Sequence, residues 1–197
     1  MNKLYVHIAL LCATLSLGAA PVIYHRIDRI VASQKKGQRV HGEFGASSRL
    51  PDNGIACAFT IAQCLPHKDV YLDLCKLVGD RLNARFRIIL GGQDETGPGA
   101  AFKTYCAIQR FAGDKVSDEA RVEEKDNTPF ITENQTFNLL LKCGQNGLTM
   151  KVFLGSSATP LVEKTFSDVK PEVYHLVFSS GASDVTYKNI TLMRLAA

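Results

Sequence analysis

LNARFRI, residues 82–88, alternates apolar and polar side chains at every position. Because successive side chains of a β-strand leave opposite faces of the sheet, this period of two predicts a half-buried strand. The side chains expected to face inward are Leu82, Ala84, Phe86 and Ile88, and those expected to face outward are Asn83, Arg85 and Arg87. The strand should therefore present polar groups to solvent along one face.

Short strands separated by turns account for most of the chain after about residue 47. Two of them flank CGQNG at residues 143–147, and its Asn-Gly pair is typical of a tight β-hairpin. The further segments predicted as strands are residues 70–75, 137–142, 148–154, 173–178 and 185–195. Regular short strands of this kind favour an all-β fold, an antiparallel two-sheet sandwich.

The composition fits one domain with a flanking segment. The chain has 197 residues, of which 46% are hydrophobic, and this is enough for a core. Lys and Arg number 23 against 19 Asp and Glu, and the only adjacent basic pair is Lys35-Lys36. A nucleic-acid-binding surface needs a denser basic stripe, so we expect no nucleic-acid partner.

The amino terminus has the organisation of a secretory signal. Lys3 precedes an apolar run over residues 6–17, and small residues follow at 18–20. This order predicts a cleaved signal and a secreted, extracellular protein. The predicted organisation is a signal peptide over residues 1–20, a stem or linker over 21–47 and a domain over 48–197.

A membrane anchor is the alternative interpretation of the same segment. The apolar stretch extends to Tyr24, so residues 6–24 are about long enough to hold the chain in a bilayer as a signal-anchor. Two sequons for N-glycosylation, at Asn134 and Asn189, favour entry into the secretory route.

The mature chain would keep five cysteines, an odd number that leaves at least one thiol outside any intramolecular disulfide. They are Cys57, Cys64, Cys75, Cys106 and Cys143. Extended chain would separate Cys57 from Cys64 by about 23 Å, too far for a direct bridge, and one disulfide among the five is left open. Since there is no C-x-x-C and the histidines are scattered, we expect no metal site and no cofactor.

Catalytic patterns are weak. No serine lies in a G-x-S-x-G motif, and GGQDETGPG at residues 91–99 predicts a loop without the Lys-Ser/Thr end of a phosphate-binding loop. Glu119 and Glu123 are the candidates for glycoside hydrolysis, but on one strand face they would not flank a bond. Arg121 would also keep Glu119 ionised. We therefore expect no enzymatic activity and no catalytic residue.

Two pairs of polar residues supply the clearest functional signal. Asn83 and Arg85 are two apart on one predicted strand, and Glu119 and Arg121 are two apart on another. Side chains at this spacing leave the same face roughly 7 Å apart. Asn, Arg and Glu together provide the donors and acceptors that hold a neutral, hydroxyl-rich ligand. The chain has no tryptophan, the ring that sugar sites usually place beneath a sugar.

The order of these residues resembles that of the galectin family. RLNARF at residues 81–86 resembles the galectin motif H-x-N-x-R followed by an aromatic residue. AIQ at residues 107–109 falls where the family has V-x-N, and VSDEAR at 116–121 falls where it has W-x-x-E-x-R. The resemblance covers roughly residues 48–195 and implies a sandwich of the galectin, or jelly-roll, type.

The resemblance also implies a carbohydrate site. Its residues are Arg81, Asn83, Arg85, Gln109, Val116, Glu119 and Arg121. In galectins such polar positions hydrogen-bond galactose hydroxyls, and the glutamate also organises the arginines. Three positions depart from the family: Arg81 replaces its His, Gln109 its Asn and Val116 its Trp.

Val116 is the most severe of these changes, because it removes the surface on which the sugar stacks. An aromatic contact contributes about 0.5–1.5 kcal/mol beyond its buried area. Tyr105 and Phe111 are the nearest rings in sequence that could replace it. We therefore predict weak or altered β-galactoside binding.

Two functions follow from the resemblance. In the first, the protein is a secreted lectin whose partners are glycans or glycoproteins, with β-galactosides among the candidates. In the second, it is a galectin-fold interaction module that has lost sugar binding, and its Arg and Glu side chains form a ladder that stabilises the sheet. The retained polar residues favour the lectin, and a homodimer is left open.

Overall fold

A computed structural model of the chain describes residues 22–32, 34–35, 38–39, 42–43, 54–63, 70–94, 103–124, 131–144, 146–170, 174–180 and 185–194. The predicted signal peptide and Cys64 lie outside these residues. Among the described residues, none forms a helix long and apolar enough to cross a membrane.

All regular structure in the described residues is β-strand. The strands are β1 (Val22–Ala32), β2 (Gln34–Lys35), β3 (Gln38–Arg39), β4 (Gly42–Glu43), β5 (Ile55–Gln63), β6 (Val70–Val78), β7 (Arg81–Asp94), β8 (Lys103–Ala112), β9 (Lys115–Glu123), β10 (Gln135–Gly144), β11 (Gly147–Leu154), β12 (Val162–Phe166), β13 (His175–Ser180) and β14 (Val185–Arg194). The predicted strands are therefore present, but the one expected over residues 173–178 extends over His175–Ser180, and several others are longer than expected.

The strands form two antiparallel sheets packed face to face. The back sheet has the order β1-β14-β5-β10-β11-β12, and the front sheet has the order β4-β13-β6-β7-β8-β9. A separate pairing joins β2 to β3. The predicted all-β antiparallel sandwich is confirmed.

Residues 22–32 belong to the sandwich. β1 pairs antiparallel with β14 along its length, with one irregularity between Ile23 and His25. Ile27 and Ile30 pack against the core, and Ala32 is buried in it. The interpretation of residues 21–47 as a stem or linker therefore does not hold for this strand, because backbone pairing and apolar contacts attach it to the back sheet.

The hairpin predicted from Asn146-Gly147 is confirmed. β10 and β11 pair in register from Phe137 opposite Leu154 to Gly144 opposite Gly147. Gly147 has a φ of +97°, and a Cβ at this position would lie 2.1 Å from the carbonyl oxygen of Phe166. Both the left-handed backbone and the close approach of β12 require glycine here.

Aromatic rings fill the core between the sheets. The ring centroid of Phe59 lies 5.9 Å from that of Phe137 on the same sheet and 5.6 Å from that of Phe178 on the front sheet. Tyr187 joins this group, and its hydroxyl donates a 2.5 Å hydrogen bond to the carbonyl oxygen of Ser179. Each such ring contributes about 1.5–3 kcal/mol by its burial, so the cluster holds the two sheets together.

Cys57, Cys75 and Cys106 are buried thiols on strands, and none of them takes part in a disulfide. Burial raises the pKa of the Cys106 thiol to about 12. Burial, reinforced by the negative charge of Asp73, also raises the pKa of Cys75 to about 12. These thiols are therefore neutral packing groups at physiological pH.

Candidate functional site

A β-bulge in β7 decides which polar side chains share a face. Phe86 is opposite Leu74, but the next pair is Ala84 opposite Cys75, so Arg85 has no partner on β6. Phe86 and Ile88 are buried in the core, whereas Leu82 and Ala84 are only half-buried. The expected inward orientation of Leu82 and Ala84 is wrong, because the extra residue shifts the alternation by one.

The same bulge separates two groups of predicted site residues. Asn83 lies opposite Lys76, and Arg81 lies opposite Val78, on the part of β7 where the alternation is shifted. Both are exposed. Arg85 lines a cavity on the core side of the front sheet. Arg81, Asn83 and Arg85 therefore do not share a face with Glu119 and Arg121.

The face of the front sheet turned away from the core, here called the outer face, carries a polar row across four strands. The register pairs Asp73 with Arg87, Arg87 with Gln109, and Gln109 with Glu119. Opposite side chains of neighbouring antiparallel strands have Cβ atoms about 4.5–5.5 Å apart. The row thus presents a carboxylate, a guanidinium, an amide and a second carboxylate side by side.

Arg87 is held rigidly in this row. Its Nε donates to Oδ1 of Asp73 at 2.7 Å and its Nη2 to Oδ2 at 2.9 Å. The guanidinium carbon also lies 4.3 Å from the ring centroid of Tyr71 and 5.4 Å from that of Phe111. Among the described residues, Nη1 of Arg87 has no hydrogen-bond acceptor, so it is available to a ligand.

The charge state of Arg87 follows from these contacts. Burial alone would lower the pKa of the guanidinium, but the hydrogen bonds and the charge of Asp73 outweigh it and raise the pKa. The Asp73 side chain is 1% exposed and that of Arg87 is 12% exposed. The two residues therefore form a nearly buried ion pair at the base of the outer face.

Arg121 and Glu119 lie on the same face but have different environments. The guanidinium carbon of Arg121 lies 3.7 Å from the ring centroid of Tyr105, and its Nη2 lies 3.3 Å from Oε1 of Glu123. Glu119 is exposed, and its carboxylate makes no ion pair with a described residue. The arginines of this face are thus oriented by Asp73 and Glu123, whereas the galectin resemblance implies the residue at Glu119 for this role.

Val116 lies directly opposite Phe111 at the end of the β8–β9 hairpin. Its side chain is 45% exposed. Phe111 and Tyr105, the rings nearest in sequence, both lie on the outer face, one at each side of the polar row. Apolar surface is therefore present beside the row, although no tryptophan supplies it.

Asp73, Tyr71 and Arg87 were not among the predicted site residues. Their signal was present in the sequence, since Asp73 interrupts an apolar strand and Arg87 continues the alternation of residues 82–88. An acidic residue inside an apolar strand requires a charged partner, and that requirement points to a basic residue on the neighbouring strand.

The carboxylates of β9, in the β8–β9 hairpin, lie on both faces of the front sheet. Asp118 lies on the core side of β9 and accepts a 2.6 Å hydrogen bond from Nζ of Lys164, which lowers the pKa of Asp118. Glu119 and Glu123 share the outer face of one strand, as predicted. Within the described residues, no three His, Cys, Asp or Glu side chains come together as a metal site.

Both sequon asparagines lie at exposed positions with left-handed backbone. Asn134 has a φ of 61° in the turn before β10, and Asn189 has a φ of 54° at an irregularity in β14. The side chains of both are exposed.

Comparison with known proteins gives a fold likeness without a family. The sequence matches no protein-family model and no curated protein. The structure is similar to the exoplasmic/lumenal domain of VIP36 in its Ca²⁺/Man-bound form, with a TM-score of 0.50 and 12% identity over 86% of this chain and 83% of that one. At this identity the likeness is one of fold.

Two further solved structures have lower TM-scores. A glycoside hydrolase family 16 endo-glucanase from Bacteroides ovatus gives 0.49 with 9% identity over 88% of this chain and 85% of that one. A toad ovary galectin in complex with N-acetylgalactose gives 0.44 with 14% identity over 77% of this chain and 99% of that one. The two antiparallel sheets and the likeness to the VIP36 domain define a jelly-roll sandwich architecture.

Proposed function

We propose that this protein is a galectin-like, non-enzymatic lectin that binds glycans through the outer face of the front sheet. The observation that carries the proposal is the polar row, in which Arg87 is fixed by Asp73 and keeps Nη1 available. Gln109 and Glu119 continue the row with an amide and a carboxylate. Such a set of donors and acceptors suits a neutral ligand with several hydroxyl groups.

Rigidity of the row favours binding. A side chain already fixed between an ion pair and two rings loses little conformational entropy when a ligand arrives. Phe111 and Tyr105 supply ring surface at the two sides of the row. A sugar could therefore hydrogen-bond to the row while part of its apolar surface contacts a ring.

The specificity should differ from that of ordinary galectins. Val116 stands at the position of the family's tryptophan, and the bulge turns Asn83 and Arg85 away from the row. Only Gln109, Glu119 and Arg121 of the expected polar set share the outer face with Arg87. We propose weak or altered β-galactoside binding for this reason.

The positions of the carboxylates on the outer face support glycan binding without hydrolysis. Glu119 and Glu123 lie on one face of one strand, and Glu123 is paired with Arg121. Glycoside hydrolysis needs two carboxyl groups on either side of the scissile bond, one of them protonated. Two carboxylates on one face of one strand do not flank a bond in this way.

Localisation and glycosylation are part of the same proposal. The signal peptide predicted over residues 1–20 would deliver the domain to the secretory route, where the exposed Asn134 and Asn189 would accept glycans. The partners would then be extracellular glycans or glycoproteins.

One observation favours a second candidate, the galectin-fold interaction module. Arg87 and Arg121 already have acidic partners within the sheet, as a purely structural ladder requires. In that case the outer face would meet a protein rather than a sugar.

A glycan array separates the two candidates. We expect the purified full chain to bind at least one neutral glycan, and the exposed-residue variant Glu119→Gln to lose that signal. Glu163→Gln, an exposed carboxylate on β12 of the back sheet, is the matched control and should bind like wild type. An empty array from a protein that melts cooperatively would contradict the lectin and favour the interaction module.

A further inference from the structure

A concave feature lies at the end of the sandwich where the chain passes from β12 in the back sheet to β13 in the front sheet. It is a cavity of about 280 Å³. Its charged and polar lining consists of Lys76, Arg85, Arg110, Asp168, Lys170 and Tyr174. None of the four residues of the polar row lines it, and Phe111, the ring beside the row, is the residue that the two share.

The lining residues that the structure describes carry more positive than negative charge. Asp168 is committed to Arg110, whose Nη1 donates to both of its carboxylate oxygens at 2.7 and 2.8 Å. This hydrogen bonding lowers the pKa of Asp168, which therefore stays ionised and offsets Arg110. Arg85 and Lys170 add two more positive charges to the part of the lining that the structure describes.

Arg85 differs from the other cations of the lining in having a buried donor atom without an acceptor. Its Nε is buried and has no hydrogen-bond partner. No ion pair or hydrogen bond to a described residue engages its guanidinium. A buried donor without an acceptor is unfavourable and rare in folded proteins, so its presence requires a reason.

The bulge in β7 supplies the geometric part of that reason. Arg85 is the extra residue that has no partner on β6, and it is thereby placed on the cavity side of the sheet next to Phe86. Bulges are common next to functional sites, where they redirect a single side chain. Without the bulge, Arg85 would share the outer face with Arg87.

We propose that this cavity binds a sulfate or phosphate group, with Arg85 as the principal donor. The two positive charges of Arg85 and Lys170 match a doubly charged tetrahedral oxyanion better than a singly charged carboxylate. The guanidinium of Arg85 provides directed N–H groups, and Lys170 provides charge from the side of the cavity. The volume is several times the roughly 30 Å³ that one water occupies in the liquid, so the oxyanion could be a free ion or an ester on a sugar.

Calorimetric titration of the full chain at constant ionic strength tests the proposal. The probes are inorganic sulfate, inorganic phosphate and galactose 6-sulfate, with galactose as the uncharged comparison. We expect saturable binding of at least one charged probe. Binding of the inorganic ions alone would identify a free-anion site, and binding of galactose 6-sulfate would identify an ester site.

Charge variants separate this cavity from a general effect of net charge. Arg85→Gln should weaken binding of the charged probe at least tenfold, and Lys170→Gln, at an exposed position, should weaken it about threefold. Lys142→Gln, an exposed lysine on β10, is the matched control and should leave the affinity unchanged. If Arg85→Gln fails to fold, Lys170→Gln still tests the site.

Two outcomes would overturn the proposal. The first is the absence of saturable heat with any charged probe in a protein that melts cooperatively. The second is an equal loss of affinity in Lys142→Gln and Lys170→Gln, which would show a diffuse electrostatic attraction. Neither outcome depends on whether the outer face binds a neutral glycan.

Discussion

Asp73 and Arg87, on neighbouring strands of the front sheet, form a two-point ion pair on its outer face. The two hydrogen bonds measure 2.7 and 2.9 Å, and the Asp73 carboxylate is 1% exposed. A buried charge is tolerated only when a partner of opposite charge compensates it. The pair therefore couples the stability of the sheet to the position of the guanidinium that we assign to the glycan site.

Removing the carboxylate should destabilise the fold. Asp73→Asn leaves Arg87 nearly buried without its counter-charge, and we expect a loss of about 3 kcal/mol in the free energy of unfolding. Urea denaturation measures this change. Asp118→Asn is the control, because its pair with Lys164 is far more exposed than the pair of Asp73 with Arg87, and its loss should be much smaller. Equal stability of Asp73→Asn and wild type would contradict the assigned role of the pair.

Restoring an aromatic surface should restore galectin-type binding. Val116→Trp places an indole opposite Phe111 on the outer face, and we expect lactose affinity to appear or to rise about tenfold, the equivalent of about 1.4 kcal/mol. Calorimetric titration with lactose measures the gain. Val31→Trp is the matched control, since Val31 is 46% exposed on the back sheet and Val116 is 45% exposed. A Val116→Trp protein with no gain in lactose affinity would contradict the view that the missing aromatic surface limits binding.

Buried thiols should make the fold sensitive to alkaline pH. The pKa of Cys106 is about 12 in the folded chain and 9.0 for an ordinary thiol, so the unfolded state releases its proton first as pH rises. The free energy of unfolding is therefore independent of this thiol's ionisation below pH 9. Between about pH 9 and 12 it falls by up to about 1.4 kcal/mol per pH unit for each such thiol. Cys106→Ala should show a shallower fall in urea-denaturation stability over this range. A fall as steep as that of wild type would contradict the assignment.

The β10–β11 hairpin should not tolerate a side chain at Gly147. Gly147→Ala combines a φ of +97° with a Cβ 2.1 Å from a backbone oxygen, and we expect a loss of at least about 2 kcal/mol. Thermal melting measures it, with an expected shift of roughly 4 °C or more. Gly144→Ala meets open space at the same hairpin and should melt close to wild type.

The sequence predicted the elements well because their signals are local. Alternation marked the strands, and Asn146-Gly147 marked the hairpin. The sequence did not predict the bulge at Arg85, since an alternation pattern assumes an uninterrupted period of two. The resulting shift moved Asn83 and Arg85 off the outer face and left Arg87 as the β7 guanidinium on that face.

Residues 91–94 show the same limit of sequence patterns. The sequence predicted a loop from Gly91, yet β7 continues to Asp94 and pairs with β8 through an irregularity between Leu90 and Gly92. Gly91 has a φ of +69°, and a Cβ there would lie 2.6 Å from Cδ1 of Ile131. Glycine thus permits a bulge within a strand as readily as it ends one.

The most direct test of the glycan site is NMR chemical-shift mapping of the full chain during titration with the glycan selected on the array. The account predicts perturbation of the amides of Arg87, Gln109, Phe111 and Glu119, with little change on the back sheet. Perturbation confined to the back sheet, or to the cavity lined by Arg85 and Lys170, would contradict the assignment of the outer face.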